Sequence, residues 1–184
     1  MKIPKLDLDL VRYPNFQQLS LTRRLTNLSL WVAVAVVGRV LVSGLPNVQP
    51  VTDMVILAVP LFGLSGGLIV ATLIMLLSNL ILGMGPWTLG QILAYGAVVL
   101  ISYLLMKLGL FKYPLAVLAW SLVAGYCYGL IVSYMMLILF GLGMPFWTYY
   151  LAGLPYDTGH ALGNLAFMLI LVPICQRLIR EKIL

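Results

Sequence analysis

The chain has 184 residues, of which 62% are hydrophobic and 9% charged, and its mean hydropathy is +1.07. That leaves too little polar surface to cover the core of a soluble domain. The formal charge of +6 does not indicate nucleic acid, because the basic residues are dispersed and form no tract interleaved with aromatics; anionic lipid headgroups are their natural neighbours.

The first 24 residues are mixed and polar, and they read as a cytoplasmic N-terminal segment, with no apolar run or cleavage site of a signal peptide. Residues 25–184 read as one all-α integral membrane domain, a six-transmembrane-helix bundle with both termini cytoplasmic. A span needs about 20 mostly apolar residues. The first runs from Asn27 to Ser43, with Ser29, Ala33, Ala35 and Gly38 as small residues that would let another helix approach. The second runs from Thr52 to Leu64, contains Pro60, and turns at Gly66 and Gly67 into a third, Leu68 to Leu82. The fourth covers Leu89 to Met106, and a loop with Lys107 and Lys112 leads to the fifth, Pro114 to Leu142. The sixth covers Tyr156 to Ile179. Cys127 and Cys175 lie within apolar runs and read as packing residues.

Basic residues then fall on alternate sides. Lys2, Lys5, Arg12, Arg23, Arg24, Lys107, Lys112, Arg177, Arg180 and Lys182 share the side of the termini, which marks it as cytoplasmic. Arg39 is the exception, near the outer end of the first span.

The outer segments Gly44–Thr52, Gly83–Gly90 and Leu142–Pro155 are punctuated by prolines, glycines and aromatics of the kind that shape a binding surface. Trp87, Trp147, Tyr149 and Tyr150 also suit an interfacial aromatic belt. Asp53 and Asp157 lie in the first turns of the second and sixth spans, where a carboxylate, like Thr52 or Thr88, can cap a helix. Arg39 could pair with either aspartate. His160 is either a packed histidine or a hydrogen bonder in a cavity. Asn47, Gln49, Asn79, Gln91 and Asn164 add neutral donors and acceptors suited to a polar, uncharged, amphipathic ligand. No phosphate-binding GxxxxGK[ST] loop, catalytic triad, metal-ligand cluster or half-chain repeat is present.

The segments Pro46-Asn47-Val48-Gln49-Pro50-Val51-Thr52 and Gly85-Pro86-Trp87-Thr88, followed by Gln91, resemble the substrate-binding membrane subunits, or S-components, of energy-coupling factor (ECF) vitamin transporters. More narrowly, the chain is similar to the cobalamin-specific branch of Gram-positive bacteria. The resemblance implies a multi-pass cell-membrane subunit with no ATPase activity and no cofactor, whose transported substrate is cobalamin. It further implies a transmembrane coupling subunit and two cytoplasmic ATPases as partners, and delivery of the vitamin by toppling in the membrane lipid. The ligand would meet Asn47, Gln49, Asp53, Asn79, Trp87, Thr88, Gln91, Trp147, Tyr150, Tyr156 and His160. The family's small-residue pattern in the first span would place the coupling subunit at Ser29, Ala33, Ala35 and Gly38. Two alternatives stand beside this reading. One is an S-component for riboflavin, folate, thiamin or biotin. The other is a small lipid-modifying enzyme using Asp157 and His160, which are three apart on one helix face.

Overall fold

The structure, a computed structural model, describes residues 16–45 and 47–181. Expectations for Lys2, Lys5, Arg12, Pro46 and Lys182, and for positions 1–15 of the N-terminal segment, lie outside these residues. Five long helices follow one another: α1 (Leu21–Leu41), α2 (Val51–Leu82), α3 (Trp87–Lys107), α4 (Pro114–Phe140) and α5 (Phe146–Arg180). All five are long and apolar enough to cross a membrane. Consecutive helices pack side by side, and α2 also touches α4 and α5.

The six-helix bundle with both termini cytoplasmic is therefore corrected: among the described residues there are five such helices, not six. The two spans expected at Thr52–Leu64 and Leu68–Leu82 belong to one helical element of 32 residues. The chain does not turn through a loop at Gly66 and Gly67. It leaves helical geometry at one residue, Gly63, with φ 75° and ψ −177°, a backbone state that side chains disfavour. There α2 folds back on itself. A straight helix of this length would separate its ends by about 45 Å, yet Gln49 just before α2 and Asn79 in its last turn both bond Arg39. Gly66 and Gly67 are helical and serve packing: a Cβ on Gly67 would sit 3.1 Å from Val99 of α3 and 3.2 Å from Val59 of the other arm.

Each helix forms for a local reason. Ser20 caps α1 by accepting the Arg23 backbone N–H at 3.4 Å. The buried stripe of α1, with Asn27, Trp31, Val32, Ala35, Val36 and Arg39, faces α2, and Trp31 Nε1 donates to the Met54 carbonyl at 3.0 Å. Pro114 opens α4 at a position where its missing N–H has no helical partner to lose. The greatest departure in length is α5. The expected loop Leu142–Pro155 is helical from Phe146 onward, and Tyr149 N–H bonds the Pro145 carbonyl at 3.2 Å to start the first turn.

The core runs through α2, whose residues 51–59 are all buried. The outward faces carry leucine, isoleucine and valine, such as Leu30, Leu80, Leu104 and Leu169. Hydrocarbon, rather than water, is the solvent that such faces suit. Cys127 and Cys175 are free thiols.

Candidate functional site: a polar groove at one end of the bundle

Because α2 reverses, one end of the bundle gathers the last turn of α1, both ends of α2, the start of α3 and a face of α5. Polar residues from all of them meet there. Arg39 is the hub. Its Nε donates to Gln49 Oε1 at 3.0 Å, and its Nη1 donates to Asn79 Oδ1 at 2.9 Å and to Ser78 Oγ. Met75 Sδ lies 3.8 Å from the same nitrogen. Asn79 in turn donates to Thr88 Oγ1 at 2.9 Å and to Gln91 Oε1 at 2.6 Å. Gln49 reaches Tyr95 OH at 3.5 Å. Thr52 Oγ1 is 3.2 Å from Tyr95 OH and 2.6 Å from His160 Nε2.

Above this network lies an open groove of about 180 Å³. Asn47, Gln49, Gln91, Arg39 and Tyr128 supply its polar lining, with Ser43, Val48 and Leu82 among the rest. Asn47 sits in the left-handed region at φ 57°, a conformation its short amide side chain tolerates. That turn places Val48 and Gln49 against the bundle, where Val48 packs on Gly163 of α5.

The candidate ligand residues thus divide. Asn47, Gln49 and Gln91 line the groove, with Asn79 and Thr88 directly behind them. His160 is fully buried and holds Thr52. Asp53 points elsewhere: its Oδ1 accepts from Ser121 Oγ at 2.5 Å, and Asn164 Nδ2 donates to the Ser121 carbonyl at 3.0 Å, tying α2, α4 and α5. Neither aspartate caps a helix: α2 starts at Val51 without a side-chain cap, and Asp157 lies well inside α5. Trp87 is 41% exposed and covers Gly85 rather than the groove. Trp147 and Tyr150 form an aromatic cluster with Phe146, with ring centroids 5.2 and 6.1 Å from it, and Tyr156 is 59% exposed. None of these three lines the groove.

Three residues absent from the expected site belong to it. The Tyr95 and Tyr128 rings meet at a tilt of 39°, centroids 4.5 Å apart, and Tyr128 meets His160 edge-on at 5.2 Å. Nothing in the sequence singles out Tyr128 among the tyrosines of the fifth span. Arg39 stands out as the basic residue on the other side, but its partners are the neutral Gln49, Met75, Ser78 and Asn79, not Asp53 or Asp157. On α1, Ser29 and Ala33 are exposed, Ala35 is buried against the core, and Gly38 abuts Pro50.

A multi-pass membrane protein with an amide-lined groove at one end is what fold and site define. The family model described as "ECF transporter, substrate-specific component" matches residues 23–179, and the chain belongs to that family. Searches of curated proteins and of solved structures returned no match. The protein is therefore a non-catalytic, substrate-binding subunit in membrane transport of a small substrate. Subunits of this family work with a transmembrane coupling subunit and ATPase subunits.

Proposed function

We propose that the substrate is cobalamin, captured in this groove at the extracellular face of a Gram-positive cell membrane and delivered by toppling of the whole subunit. One observation carries the reading: Asn47, Gln49 and Gln91 converge on a single groove with Tyr128, and no carboxylate among the described residues lines it. A corrinoid is rimmed with amides, and neutral amides both donate and accept. The segment joining α1 to α2 supplies Ser43, Leu45, Asn47, Val48 and Gln49 to the lining, so its displacement widens the groove for a bulky ligand and its return covers it. The lipid-facing sides of the helices are apolar, which keeps the cost of rotation in the bilayer low. The exposed face of α1 around Ser29 and Ala33 is where the coupling subunit would pack.

The groove's volume favours a second reading. At about 180 Å³ it is smaller than the pockets of about 300–1,000 Å³ that hold drug-sized ligands, so riboflavin, thiamin, folate or biotin would need less displacement of that segment than cobalamin. Calorimetry on the detergent-solubilised protein with each of these and with cobalamin decides the matter. Saturable binding of cobalamin alone, near one per chain, supports the first reading. Folded protein that binds a smaller vitamin and ignores cobalamin replaces it with the second.

A further inference from the structure

Arg39 is the charged residue among those lining the groove, and only 9% of it is exposed. The partners of its Nε and Nη1 are all neutral: Gln49, Met75, Ser78 and Asn79. Among the described residues the one ion pair is Arg177–Glu181, on the last turn of α5. The two aspartates that could have balanced Arg39 are engaged elsewhere. Asp53 accepts from Ser121, and the Asp157 carboxylate lies against Gly129. The remaining nitrogen, Nη2, makes no hydrogen bond among the described residues.

A guanidinium stays charged at any physiological pH. Burying it without a counter-charge is among the costlier arrangements a membrane protein can hold. Tying α1 to α2 does not require that cost, since a neutral amide could donate to two of these oxygens without any desolvated charge. Arg39 also differs from a snorkelling cation at a helix end, because its head is bonded into the bundle. What the arrangement does supply is a rigidly held cation in the lining of a groove, the usual means of receiving a carboxylate or phosphate.

We infer that the transported substrate carries an anionic oxygen group, a phosphoester or carboxylate, and that Arg39 receives it through Nη2. This deepens the proposed function and rests on it: in cobalamin the group is the phosphodiester of the nucleotide loop. A phospholipid headgroup offers the same chemistry. The polar lining of Asn47, Gln49 and Gln91 suits a soluble substrate better than an acyl chain.

The test uses the full chain in detergent without lipid. Cobinamide and cobinamide phosphate differ only by the phosphate. Wild type should bind cobinamide phosphate roughly tenfold tighter, the scale of one charge-assisted hydrogen bond. R39K should keep part of that preference and R39Q should lose it. Equal affinity of wild type for the two overturns the inference. If wild type binds neither corrinoid, cobalamin itself included, the cobalamin reading falls separately. The anion site is then read from the unfolding temperature in dimethyl phosphate against matched chloride. A rise in wild type and R39K but not in R39Q supports it, and an equal rise in all three overturns it. A rise that needs anionic lipid in nanodiscs, with none from dimethyl phosphate, overturns it in favour of a lipid site. If R39Q does not fold, the wild-type comparisons still decide.

Discussion

Arg39 and Asn79 meet at 2.9 Å in the interior, joining the last turn of α1 to the last turn of α2. Asn79 uses its oxygen for the guanidinium and its nitrogen for Thr88 and Gln91, so one amide orients three partners. Removing it strands a buried charge and two buried or half-buried polar groups. Asn79→Leu should cost about 2–4 kcal/mol, seen as a lower unfolding temperature in detergent. Leu80→Ala next to it, facing outward, should move that temperature far less. Equal effects would mean that the network contributes no stability.

The reversal of α2 makes Gly63 a sensitive position. Gly63→Ala must hold φ near 75° and should destabilise by about 1–2 kcal/mol. Gly96, in α3 with nothing within 4 Å of a built Cβ, is the control. Gly96→Ala should be neutral or stabilise by up to about 1 kcal/mol. Matching thermal shifts for the two would show that the backbone at Gly63 can relax.

A Cβ on Gly129 would collide with the Asp157 carboxylate. Gly129→Ala should therefore cost about 1–3 kcal/mol. Adding Asp157→Ala should recover part of that loss, because the obstacle is gone. A double-mutant cycle with no coupling would place the strain elsewhere.

Ligand affinity separates groove from rim. Gln49→Ala and Gln91→Ala should each weaken vitamin binding about fivefold, one lost hydrogen bond apiece. Trp87→Ala, outside the groove, should change it by less than about twofold. Calorimetry showing the reverse order would move the site to the aromatic rim.

Ala33 and Ala35 test the partner surface on α1. Ala33→Leu on the exposed face should leave vitamin binding intact and weaken co-purification with the coupling subunit. Ala35→Leu should overpack the core and lower stability by about 1–3 kcal/mol. Unimpaired assembly with Ala33→Leu would argue for a different docking face.

The helices legible in the sequence were those whose ends are marked by charge or proline. α3 ends at Lys107 and α4 begins at Pro114, close to where hydropathy alone puts them. α2 was misread because paired glycines at 66 and 67 advertise a turn, while the chain reverses at a single glycine three residues earlier. α5 was misread because Pro145, Pro155 and the aromatics between them look like loop residues. A proline at the N-cap starts a helix, however, and an interior one is tolerated when the rest of the helix packs. The amides of the site stood out as polar letters in apolar text. The face each aromatic would present did not, because a shift in the start of α5 turns Trp147 and Tyr150 away from the groove. The partners of Arg39 were hidden too, since they depend on the fold of α2.

A reversal made by one residue has no slack. Both arms of α2 are helical up to Gly63 and pack against each other at Val59 and Gly67, so residues inserted there have no loop to occupy and would throw one arm out of register with the other. The connection at 108–113 holds a short 3-10 helix that buries Phe111, whereas 141–145 is exposed surface chain. That second connection is the place where this protein can accept a tag, a label or an evolutionary insertion, while the tip of α2 keeps its length fixed.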